Sequence, residues 1–101
     1  MSKIKPIVSK TPESLALALG LSPVEAEQWQ LQHVLVKKLK DIARSRKLTH
    51  AAIAALAGTS RTRVTAILNE DLEHVSTDLL VRILASLGYR VSVSVRRAEA
   101  A

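Results

Sequence analysis

One stretch of this chain constrains its fold more than any other: THAAIAALAGTSRTRVTAILN, residues 49–69. Thr49 and Ser60 are each placed to cap a helix, because a short side-chain oxygen can accept a backbone N–H from the first turn. Gly58 lies between them, where the chain must leave the first helix in a left-handed conformation that a side chain would strain. Ile53 and Ala54 point inward on the first segment, and Ala54 is small where two helices must approach closely. Val64, Ile67 and Leu68 hold the second. The spacing predicts two short helices, His50–Ala57 and Arg61 to about Leu68, joined by a tight turn.

The remainder supplies a frame for this pair. Ser22-Pro23-Val24-Glu25 is a capping box with proline at the first helical position, so a long helix is expected to about Ser45. Leu31, Val34, Leu35, Leu39 and Ile42 give it an apolar stripe, and Trp29 is expected as a core or interface residue. Before it, Thr11 can cap a short helix with Pro12 at its first position and Gly20 ending it; Leu15, Leu17, Leu19 and Leu21 alternate, which also suits a strand, but the cap and the alanines favour helix. After the pair comes a polar loop, Asn69–Val75. Ser76 or Thr77 then caps a helix to Leu87, with Leu79, Leu80, Ile83, Leu84 and Leu87 inward and Gly88 ending it.

At Tyr89 the period changes. Tyr89, Val91, Val93 and Val95 alternate with Arg90, Ser92, Ser94 and Arg96, which predicts a strand. A lone strand needs a partner for its backbone groups. The same strand from a second copy, antiparallel about a two-fold axis, is one; the arm around Ile4–Val8 is the other. The expected architecture is mainly α: an arm (1–10), a five-helix domain (11–88), a C-terminal strand (89–97) and a frayed tail (98–101). On the dimer reading Tyr89, Val91, Val93 and Val95 form the joint.

Charge is uneven. The chain carries a formal +6, and eight cations fall between Lys37 and Arg63 (Lys37, Lys38, Lys40, Arg44, Arg46, Lys47, Arg61, Arg63) against the single acid Asp41. Clustered positive charge of this kind attracts polyanions. Glu70, Asp71, Glu73 and Asp78 then crowd the next stretch. Trp29 and Tyr89 are the only aromatics, too few for the stacking platforms that single-stranded nucleic acid requires. The absence of cysteine excludes disulfides, thiolate zinc sites and a cysteine nucleophile. No stretch approaches the roughly 20 apolar residues of a membrane span, and a cytoplasmic location is expected.

The two capped helices with Ala54, Gly58, Val64 and Ile67 at these spacings describe a helix-turn-helix. The chain resembles the Cro/repressor-type (XRE-like) proteins, and is similar to small antitoxin regulators of the HigA type. The motif covers Leu48–Asn69, with a looser likeness through the flanking helices and the terminal segment. The resemblance implies that the second helix enters the major groove of duplex DNA, N-terminal end toward the bases. Ser60, Arg61, Thr62, Thr65 and Ala66 are then base-facing: Arg can make two hydrogen bonds to guanine, and Thr and Ala methyls can meet a thymine methyl. Arg46, Lys47, Thr49, His50, Arg63 and Asn69 suit phosphate. Two positions depart from the family: His50 stands where glutamine is usual, and Glu70 where glycine is.

These features give a first expectation of a homodimeric repressor that reads a near-palindromic operator and serves as the antitoxin of a toxin–antitoxin pair. The alternative is a stand-alone transcription factor, and a protein-interaction module without DNA binding ranks below both. An enzyme is disfavoured. His33, His50 and His74 have no metal-binding spacing, no glycine loop cradles phosphate, and no nucleophile elbow occurs. No cofactor or metal is expected.

Overall fold

The computed structural model describes residues 20 and 22–97. Within them four helices follow in order: α1 Pro23–Ser45, α2 His50–Ala57, α3 Arg61–Leu68 and α4 Thr77–Ser86. Each starts at a hydroxyl cap. Ser22, Thr49, Ser60 and Ser76 accept the N–H of Glu25, Ala52, Arg63 and Leu79, at 3.1, 3.0, 3.0 and 3.1 Å. Glu25 returns the favour at the head of α1, its carboxylate accepting Ser22 N–H at 2.9 Å, so the capping box is complete.

The helix ends share one device. At each, the backbone turns left-handed and two N–H groups fold back on the last carbonyls. Gly58 (φ 68°) and Gly88 (φ 95°) do this without a side chain; Lys47 (φ 54°) and Glu70 (φ 64°) do it with one. After α3, for example, Glu70 N–H donates to Ile67 O and Asp71 N–H to Ala66 O, both at 2.9 Å. A left-handed L-residue costs roughly 1–2 kcal/mol relative to glycine.

One core joins all four helices. Leu35, Val36, Leu39 and Ile42 enter it from α1, Ile53, Ala54 and Ala57 from α2, Val64 and Ile67 from α3, and Leu80, Ile83 and Leu84 from α4, with Leu87 just beyond. Leu39, Ile53, Val64, Ile67, Leu80 and Ile83 are fully buried. Each such side chain contributes about 1.5–3 kcal/mol of transfer free energy. Among the described residues no polar or charged side chain is buried with them. α2 packs most extensively on α3, while α4 lies against α1 and α2 and α1 also touches α3. The α2–α3 pair is thus clamped from behind, which leaves the outer face of α3 free.

The expected five-helix domain with a terminal strand is corrected on one point and untouched on another. Among the described residues there are four helices and no strand. The helix expected between Thr11 and Gly20, the arm 1–10 and the tail 98–101 lie outside the described residues. Over 89–97 the alternating pattern is not matched by alternating burial. Val91 packs against the core, but Val93 and Val95 are 75% and 90% exposed. Alternation alone does not make a strand; a ladder needs a second edge to take up its N–H and C=O groups. No extended neighbour lies beside it among the described residues, and 89–97 forms no strand.

Candidate nucleic-acid interface

α3 presents its polar side outward. Val64 and Ile67 are fully buried, Arg61, Thr62 and Arg63 are exposed, and Thr65 and Ala66 are half-buried. Residues 61, 62, 65 and 66 share one strip of the helix, since positions three and four apart are neighbours. Ser60 sits at its head. Its oxygen caps the Arg63 N–H, and its O–H proton remains able to donate. The strip therefore offers a guanidinium, three hydroxyls and three methyl-bearing positions toward the N-terminal end of a helix. These are the groups that read base edges in a major groove.

The second expected set divides. Thr49 is exposed and caps α2, its hydroxyl accepting the Ala52 N–H. Lys47 is exposed in its left-handed turn, and Asn69 is exposed at the C-terminal cap of α3. Arg46 is engaged elsewhere. Its Nη1 donates to the Leu87 carbonyl at 2.6 Å and its guanidinium lies 6.0 Å from the centre of the Tyr89 ring. It closes the C-terminal end of α4 onto the corner between α1 and α2. Arg63 reaches across to donate to the His74 carbonyl at 3.2 Å, tying α3 to the following loop. His50 Nδ1 lies 2.7 Å from Thr65 Oγ1, so one expected phosphate residue and one expected base-facing residue touch each other.

The acids after α3 are sorted in the same way. Glu70 is turned onto α1. Its carboxylate accepts from Lys40 Nζ at 2.7 Å and lies 3.5 Å from His33 Nε2. The Lys40 hydrogen bond holds its carboxyl below the usual range, against a smaller opposing desolvation. His33 Nδ1–H donates to the Trp29 carbonyl at 3.1 Å, and the two rings stack at 3.7 Å. Trp29 is thereby a half-buried brace for this clasp. Gln32 donates to the Val75 carbonyl at 2.9 Å, fixing the far end of the loop. Asp71 and Glu73, by contrast, line a shallow groove beside α3 with Ser60, Thr62, Arg63, Ala66 and His74. They form an acidic wall along one edge of the reading strip.

Sequence reasoning missed these links, among them His50 to Thr65, Lys40 to Glu70 and Arg46 to Leu87. Their separations are 15, 30 and 41 residues, and no periodicity connects positions so far apart. Only the family's usual glycine at the Glu70 position hinted that the backbone there is left-handed.

No group of three or more histidine, cysteine or acidic side chains among the described residues is arranged to hold a metal ion. No described helix is long and apolar enough to cross a membrane. Residues 19–96 match the family model of a helix-turn-helix domain. The chain belongs to that family: it is an XRE-type, non-catalytic, DNA-binding transcription-regulator domain spanning most of its length. Neither the curated proteins nor the solved structures gave a match.

Proposed function

We propose that this protein is a stand-alone repressor that binds one near-palindromic operator as a homodimer and reads it with α3. The observation that carries the reading is the exposed strip of Ser60, Arg61 and Thr62 at the N-terminal end of α3, in a chain of formal charge +6. The strip supplies base recognition; the cations and the head of α2 supply phosphate attraction. Two copies on a two-fold axis would place their α3 helices in successive major grooves, so half-sites should lie about one helical turn apart. Footprinting on the DNA upstream of the protein's own reading frame tests this. Protection of two inverted half-sites with that spacing supports the reading, and uniform protection with no preferred site contradicts it.

One observation favours a second reading, in which the protein is an antitoxin. Val24, Leu31 and Val34 are 69%, 42% and 55% exposed and share one side of α1, remote in sequence from the reading strip. Such a face suits a protein partner. Affinity capture of the tagged chain from its host separates the two. A stoichiometric small protein encoded next door means antitoxin, and the chain with DNA alone means a stand-alone regulator.

A further inference from the structure

His50 is the first residue of α2 and Thr65 lies mid-way along α3, yet Nδ1 and Oγ1 are 2.7 Å apart. Both side chains are half-buried. A threonine inside a helix commonly turns its hydroxyl to the carbonyl four residues back; Thr65 turns it to a ring on the neighbouring helix. The charged side chains of α3 and α4, the helices packed on α2, are Arg61, Arg63, Asp78 and Arg82. None of them is hydrogen-bonded or ion-paired to His50, and Arg63 is directed to the His74 carbonyl.

The chemistry of the two rotors is linked. A phosphate oxygen only accepts, so a phosphate contact through Nε2 requires the proton on Nε2. In the neutral ring Nδ1 then carries a lone pair, and the Thr65 hydroxyl must donate to it. The Thr65 oxygen is left with lone pairs alone. In the major groove the base edges that donate are adenine N6 and cytosine N4.

We propose that His50 and Thr65 form one reading unit. A phosphate contact by His50 sets Thr65 as a hydrogen-bond acceptor, so Thr65 selects adenine or cytosine at one position of each half-site. Thr65 is the specificity-determining residue and His50 the positioning residue. The inference rests on α3 reading base edges, as proposed above.

The test is selection of bound sequences from a randomised duplex pool by the full chain. The wild type should select adenine or cytosine at one position per half-site. Thr65→Val, nearly isosteric, should lose roughly three- to tenfold of that discrimination, the size of one hydrogen bond. Thr65→Ser should retain it. His50→Ala should relax the same position and weaken all duplexes alike. A consensus unchanged in Thr65→Val, or guanine or thymine at that position in the wild type, would overturn the pair alone. Pools without any consensus would overturn base reading by α3 and this inference with it.

Discussion

The segments 50–68 and 89–97 are both short, both rich in small aliphatic residues and both carry arginines, yet they are held very differently. The first gives five side chains to the core: Ile53, Ala54, Ala57, Val64 and Ile67. The second gives only Val91, and its remaining valines stand in solvent. The difference is in how each satisfies its backbone. A helix closes its hydrogen bonds within itself, and with Thr49, Gly58 and Ser60 marking the ends, the α2–α3 pair needs only an apolar back to pack. An extended segment has no internal partner, so its fate depends on a neighbour its own residues cannot specify. The buried apolar contacts of this domain therefore lie mostly in the clamped helices, and beyond Val91 the terminal segment adds none.

The sharpest way to break that contrast is to cut a side chain in each region. Ile67→Ala removes a fully buried side chain on α3 and should destabilise the domain by about 2–5 kcal/mol, while Val95→Ala should change stability by under about 0.5 kcal/mol. Denaturant melts of both variants decide it; equal losses would mean that the terminal segment belongs to the cooperative unit. Next in size is the turn between the two helices. A Cβ at Gly58 meets nothing within 4 Å, so Gly58→Ala isolates the cost of φ +68° and should lose about 1–2 kcal/mol. A loss near zero in the thermal melt would show that the turn relaxes.

Lys47→Gly tests the same device from the other side. It should gain about 1 kcal/mol by relieving a left-handed side chain, while the slope of binding against salt should fall by about one counterion. Stability gained with no change in slope would remove Lys47 from the phosphate set. The smallest expected effect concerns pH. Glu70 has a lowered folded pKa, caused first by the Lys40 hydrogen bond. Its contribution is present above the ordinary value of 4.5 and is lost as pH falls through the lower folded value. Glu70 is nearly half exposed, so solvent screening keeps the contribution small. Lys40→Ala should flatten the acid limb of the stability curve slightly below that value. An unchanged limb would mean the ion pair adds nothing to folding.

What could be read from the chain follows the same division. All four described helices start at oxygen caps that the sequence marks, and α2 and α3 keep the bounds expected of them, because caps and a 3.6-residue period are local signals. The strand was expected from an equally plain period, but period describes a face, and a face without an edge to pair with is not a sheet. Within the site, the exposed strip Ser60–Thr62 was legible from the wheel of α3. The roles of Arg46, His50 and Glu70 were not. Each is set by a carbonyl, hydroxyl or ammonium group brought near by tertiary packing, and charge alone counted Arg46 and Lys40 as free cations.

The central claim is that α3 reads base edges through Arg61. The most direct measurement compares wild type and Arg61→Ala on the selected operator and on scrambled duplex of equal length, across a salt series. The account predicts that the variant loses roughly 1–3 kcal/mol on the operator, keeps its affinity for scrambled DNA and leaves the salt slope nearly unchanged. An equal loss on both duplexes with a shallower slope would contradict it, because Arg61 would then hold phosphate and the bases would be read elsewhere.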